Sequence, residues 1–219
     1  MKVLSLAFCL LCLSHLSWSQ TDSARYKYVG IGFGSNWAKT DLSETYQKPN
    51  IHFSAYLQFA KASKWNTAAA LSYGQLVSEN REAVFLDRSE IQVNSFAQVI
   101  YQTVHFELMY HLVKREQLEI ALSQGIGFMR FNVYDQLDVN LADQLDSRLP
   151  GEDYAGFTAL LPLSLSARYL FQNNWGLQSK LSLMNSLTDY LDNISEIGNP
   201  DNNDNFLRME LSVFKKLSF

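Results

Sequence analysis

The sequence predicts an all-β fold, an eight-stranded antiparallel up-and-down β-barrel with a transmembrane character, from three observations. Beyond the first two dozen residues the apolar positions recur with period two, as in half-buried strands, rather than 3.6. Short and long connections alternate between the strand candidates without exception. The face opposite the apolar one is made of Gly, Ser, Ala and Gln, not of the Lys and Glu that cover a solvated sheet. Composition agrees: of 219 residues, 47% are hydrophobic, 13% aromatic and only 18% charged, against about 25% charged in a typical soluble domain. This balance excludes a disordered chain, and a net charge of −4 excludes a general nucleic-acid binder, which needs a basic face.

The elements follow in chain order. Residues 1–19 read as a secretory signal peptide: Lys2, an apolar run from Val3 to Leu13, and small residues at Ser17 and Ser19 before Gln20. Cys9 and Cys12 both lie in this leader, so residues 20–219, the barrel domain, are expected to have no disulfide. In strand one, Val29, Ile31, Phe33 and Trp37 alternate with Tyr28, Gly30, Gly32 and Gly34. Strand two sets Ile51, Phe53, Ala55, Leu57 and Phe59 on one face, and strand three sets Trp65, Thr67, Ala69, Leu71 and Tyr73. The fourth segment, Glu90 to Val113, is the longest. Its parity slips near Gln102 and Thr103, which predicts either a bulge or a strand projecting beyond a membrane. Strand five is read from Leu118 to Phe128, strand six from Phe157 to Phe171, strand seven from Trp175 to Leu183 and strand eight from Leu207 to Phe219. Several of these exceed the about 5–6 residues usual for globular strands.

Lys61–Lys64, Lys114–Glu116 and Gln172–Asn174 are the short connections; Ala38–Asn50, Glu79–Ser89, Asn132–Gly156 and Thr188–Asn205 are the long ones. Tight periplasmic turns and four long external loops are the layout of an outer-membrane barrel. Aromatics collect at both strand ends: Phe59, Trp65, Tyr110, Tyr169, Phe171, Trp175 and Phe219 toward the short turns, Phe33, Trp37, Tyr73, Phe128 and Phe157 toward the long loops. Two girdles with a Leu, Ala and Val band between them are what the interfacial preference of aromatic rings produces. Alternation alone also suits a secreted lipocalin-like ligand binder; the small-residue face and the girdles favour the membrane barrel.

The strand Val29–Trp37, the segment Leu71-Ser72-Tyr73-Gly74, the stretch Leu187-Thr188-Asp189-Tyr190-Leu191-Asp192 and the final Phe219 resemble the small outer-membrane β-barrel proteins of Bacteroidota, OmpX/OmpA-like eight-stranded barrels. The resemblance covers nearly all of residues 20–219. It implies residence in the outer membrane of a Gram-negative bacterium, among outer-membrane lipid and lipopolysaccharide, and a terminal aromatic, Phe219, read by the barrel-assembly machinery. The Thr-Asp-Tyr-Leu-Asp stretch also resembles small barrels attached to the type IX secretion apparatus, from which the first strand departs. The family brings no agreed catalytic residues.

Inward parity is expected to place Lys27, Glu107, Glu119, Arg168, Lys180, Arg208 and Glu210 in the lumen. An eight-stranded barrel has just enough interior for side chains, and buried charges must be paired. The near balance of four bases and three acids predicts a luminal ion-pair network acting as a plug; a gate that opens a small channel or uptake path is the alternative. His52 and His111 fall on the luminal side with Glu107 near His111, but no third partner completes a metal or acid–base site. No enzyme, cofactor or metal is expected, a lipid-modifying barrel enzyme being the minority reading. Gly30–Gly34 lie inside a strand with no helix following, so they form a luminal column rather than a phosphate loop. Asp135, Asp138, Asp143, Asp146, Glu152 and Asp153 in the third loop, and Asp189, Asp192, Glu196, Asp201 and Asp204 in the fourth, are expected to be solvated, or else to serve an envelope protein partner. Lys215 interrupts the apolar face of the last strand, where its stem can lie along lipid with its ammonium among headgroups.

Overall fold

A computed structural model describes residues 26–80, 94–143, 156–194 and 203–218. Residues 1–25, which include the expected leader, Phe219 and parts of three long connections, among them Asp146, Glu152, Asp153, Glu196 and Asp201, lie outside the described residues. Eight strands run in chain order: β1 Tyr26–Lys39, β2 Asn50–Ala60, β3 Trp65–Glu79, β4 Phe96–Lys114, β5 Leu118–Tyr134, β6 Phe157–Leu170, β7 Trp175–Ser186 and β8 Asn205–Ser218. Each pairs antiparallel with its chain neighbour, and β1 also pairs with β8, so the sheet closes without an edge.

Register keeps each face consistent around the circumference. Phe33 sits opposite Phe53, and Phe53 opposite Tyr73. All three point outward and are exposed, as are Ile31, Leu71, Phe106, Ile126, Leu177 and Leu211. Inward positions alternate with them. Two glycines there make room for large rings: a Cβ on Gly30 would lie 2.5 Å from the Tyr56 ring, and one on Gly74 would lie 2.6 Å from the Tyr101 hydroxyl. The interior is therefore packed by rings leaning across a glycine track. In the β6–β7 turn, Asn174 adopts φ 65, a left-handed conformation that asparagine tolerates. The Asn173 side chain there accepts the Trp175 amide at 3.1 Å.

The barrel has two storeys of different polarity. Toward the short turns the outward face is apolar and the interior polar. Toward the long loops the faces exchange roles in part: the interior becomes largely apolar, and polar side chains join Phe33, Ile100 and Phe157 on the outward face. Leu76, Val99, Tyr101, Met129, Phe131, Val133, Leu160, Met184 and Phe206 point inward and form one buried apolar cluster. Gln75, Gln102, Arg130 and Asn132 take the outward positions. Leu42, Leu141, Leu191 and Ile194, all from the long connections, close this cluster from above. The parity slip at Gln102 and Thr103 is this exchange. The β3–β4 register runs unbroken through both residues, so the strand projects past the apolar belt and no bulge forms there. A register shift does occur in β4, between His111 and Val113.

One mid-strand irregularity lies at the β5–β6 seam. Pro162 has no amide to donate, and the pairing lapses between Gln124↔Leu163 and Gly127↔Leu160. The Gln124 side chain spans the gap: its amide donates to the carbonyls of Pro162 at 3.0 Å and Gly125 at 3.2 Å.

Candidate functional site: the barrel interior

The polar storey is built from inward side chains of several strands, grouped around three carboxylates. Arg168 of β6 is the centre of the group nearest the short turns. Its Nη1 donates to Glu119 Oε2 at 3.2 Å, its Nη2 to Gln58 Oε1 at 2.5 Å, and its Nε to Gln178 Oε1 at 3.1 Å. The guanidinium carbon Cζ lies 4.3 Å from the Tyr28 ring centroid and 4.9 Å from that of Phe214. Arginine suits this place because its flat fork serves several acceptors while its faces stack on rings. Tyr28 donates its hydroxyl to the second Glu119 oxygen at 3.3 Å, and His111 shares its Nε2 with the Asn66 amide at 2.7 Å.

Glu107 of β4 organises the next group. It accepts from Lys180 Nζ at 2.5 Å and from Ser123 Oγ at 3.0 Å, and its Oε1 lies 3.1 Å from His105 Nε2. Glu210 of β8 holds the third, with His52 Nε2 at 3.2 Å and the Ser212 hydroxyl at 2.7 Å. Above it the Arg208 guanidinium donates to the Tyr101 hydroxyl at 3.1 Å and lies near the Tyr101 and Phe206 rings. Arg208 thus joins the polar storey to the apolar one. A free space of about 20 Å³ lies among Tyr56, Gln58, His105, Glu107, Arg168 and Arg208, about the room a single water needs.

Of the residues that parity assigned to the lumen, Glu107, Glu119, Arg168, Lys180, Arg208 and Glu210 are brought together inside. Lys27 is the exception and corrects that reading. It shares parity with the exposed Val29, opposite to the buried Tyr28, and its ammonium lies 5.9 Å from the outward Phe59 ring. Strand alternation excludes Lys27 from the interior. Sequence reasoning missed His105 as the partner of Glu107. It also missed Tyr28 and Tyr101 as the aromatic surfaces on which the two arginines lie. Parity put Tyr28 and His105 inside and left Tyr101, beside the slip at Gln102, unassigned; only the cross-barrel geometry pairs them.

The long-loop mouth carries a second polar cluster. Asp192 Oδ2 accepts the Leu42 amide at 2.7 Å and its Oδ1 the Ile194 amide at 3.0 Å. Asp204 Oδ2 accepts the Leu191 amide at 2.8 Å, and Asn94 donates to the Asp192 carbonyl at 2.8 Å. These two aspartates are buried, which corrects the expectation that the loop acids are solvated: their carboxylates satisfy loop amides that have no strand partner. Burial raises Asp192 to about 7. Burial, then the neighbouring charges of Asp192 and Asp189, raise Asp204 as well. Among the described residues no group of three or more His, Cys, Asp or Glu side chains is placed to hold a metal ion.

A closed eight-stranded antiparallel barrel with a tyrosine- and arginine-filled interior defines the class of protein by its fold. No family model and no curated protein sequence matches the chain. Among solved structures it is similar to Neisserial surface protein A, NspA, with a TM-score of 0.53, 12% identity, 88% of this chain covered and 97% of that one. It is also similar to Ail, the attachment invasion locus protein of Yersinia pestis, in complex with the heparin analogue sucrose octasulfate. There the TM-score is 0.52 with 10% identity, 89% of this chain covered and 99% of that one. A second Ail structure gives a TM-score of 0.51 at 10% identity. At these identities the likeness concerns the fold.

Proposed function

We propose that this chain is an integral outer-membrane barrel that does not conduct, with a structural and surface-interaction role and no enzymatic one. The observation that carries the membrane part is the outward belt. Phe33, Phe53, Phe106, Ile31, Ile126 and Leu71 are each at least 59% exposed, and with their neighbours they form a continuous apolar band of a size that soluble monomers do not display. Among the described residues no helix is long and apolar enough to cross a membrane; the strands do so. The non-conducting part rests on the interior, where Arg168 meets Glu119, Lys180 meets Glu107 and His52 meets Glu210. The apolar storey above them makes a second barrier.

Among the described residues the three interior histidines are engaged with Glu210, Glu107 and Asn66, and the free space beside His105 and Glu107 has about the room of one water, which supports a non-enzymatic reading. External loops are then the surface available to an envelope partner. The Ail structure holds a polysulfated ligand. Here the long-loop end carries Asp41, Glu44, Asp135, Asp138 and Asp189 against Lys39, Lys48 and Arg130, a sign unsuited to sulfates. Fractionation tests the membrane reading: the protein stays with the envelope until detergent is added and shows a heat-modifiable gel shift. Release by salt or carbonate washing overturns it.

A further inference from the structure

The charges of the barrel are sorted by end. Among the described residues acids dominate the long-loop mouth, whereas Lys27, Lys61, Lys64, Lys114, Arg115, Lys215 and Lys216 collect at the short turns, with Glu116 as the exposed acid there. Three of these lysines lie over outward rings. Lys27 Nζ is 5.9 Å from the Phe59 centroid, Lys64 Nζ 5.9 Å from Tyr110, and Lys215 Nζ 5.3 Å from Trp175. Lys216 repeats the arrangement at the lumen mouth, 4.3 Å from Tyr26. Among the described residues, Lys64, Lys215 and Lys216 have no carboxylate within ion-pair distance.

Two constraints identify what such a rim fits. The ring beneath each ammonium lies on the apolar belt, so the charge sits at the boundary between hydrocarbon and water. A long stem that rises along an aromatic face presents its ammonium at headgroup depth. The pairs are also spread along the rim, at the β1–β2, β3–β4 and β7–β8 seams. That spacing matches a ring of lipids better than one compact protein epitope.

We propose that the short-turn rim is a binding surface for anionic phospholipid headgroups of the inner leaflet: the ammonium groups of Lys27, Lys64 and Lys215 take the phosphates, and Phe59, Tyr110 and Trp175 take the glycerol and the first acyl carbons. The surface attracts negative lipid charge over a Debye length and holds it by cation and ring together. The acidic mouth fixes the opposite end away from this leaflet. The proposal rests on the membrane reading given above.

The test uses the full barrel in vesicles of phosphatidylcholine, with and without phosphatidylglycerol, followed by native mass spectrometry of the lipids retained after mild detergent extraction. The wild-type barrel is expected to retain phosphatidylglycerol over phosphatidylcholine by about tenfold. Lys27→Gln, Lys64→Gln and Lys215→Gln combined abolish the preference. The same positions as arginine keep it, and a control with Lys39→Gln, Lys48→Gln and Arg130→Gln at the other end leaves it unchanged. Equal retention of both lipids by the wild type, or loss in the control as large as in the rim variant, overturns the proposal. If the barrel inserts into phosphatidylcholine but shows no headgroup preference, this inference fails and the membrane reading stands. If it does not insert into either vesicle, both fail.

Discussion

Arg168 shows how a single residue is committed to the interior. It is 4% exposed and answers Glu119, Gln58 and Gln178 while lying on two rings. Replacing it with methionine keeps much of the volume but leaves the Glu119 carboxylate buried without its cation. Breaking one side of a buried pair costs about 3–5 kcal/mol, so Arg168→Met lowers the urea midpoint of the vesicle-folded barrel by that equivalent. The double variant Arg168→Met with Glu119→Gln recovers most of the loss. The mouth aspartates predict a pH effect of definite sign. Asp192 and Asp204 have folded pKa values above the about 3.9 of an unfolded aspartate, so the folded cap binds more protons than the open one. Their contribution to cap stability is full below pH about 4 and declines as pH rises toward about 7 for Asp192. Amide exchange at Leu42, Leu191 and Ile194 is therefore faster at pH 8 than at pH 5, beyond its intrinsic increase. Asp204→Asn flattens that dependence; an unchanged profile in this variant contradicts the assignment.

Individual strands carry the most physical information beyond period two. The β5–β6 seam places Pro162 where lipid offers no substitute donor, and every backbone carbonyl there needs an internal partner. Gln124 supplies two bonds from the outward face. Gln124→Leu, which suits lipid better by hydropathy, is predicted to destabilise the barrel by about 1–3 kcal/mol. Gln124→Leu with Pro162→Val restores stability, because the new amide completes the ladder. The apolar storey gives a second prediction. Phe206 is fully buried within it, and Phe206→Ala costs about 3–5 kcal/mol, read from the same unfolding midpoints. Much of this level was legible in the sequence. Strand number, order and outward faces followed from residues such as Ile31, Phe33, Ile51 and Phe53, because parity is a local property. The storey exchange was visible only as a slip at Gln102 and Thr103. A pattern inversion and a bulge look alike in one strand and separate only when the neighbouring register is known. The His111–Val113 irregularity left no trace, since histidine, leucine and valine fit either face near a turn. Lys27 was misplaced although its parity with Val29 already put it outside.

For the whole molecule, closure of the sheet turns one set of side chains into a surface for lipid and the other into a filling. Low total charge follows from this, because neither face of such a strand accommodates many ions. Partner choice within the lumen was not legible, because Arg168 and Gln58 are far apart in sequence and meet only across the closed barrel. Whether the barrel transports anything turns on how tightly this filling closes the lumen. The conductance of the folded barrel in a planar bilayer tests it most directly, across both voltage signs in molar salt. A filled lumen gives a silent membrane for the wild type, and brief openings only after the interior is loosened, as in Arg168→Ala combined with Phe206→Ala. Stable openings of nanosiemens size from the wild-type protein would contradict a filled lumen.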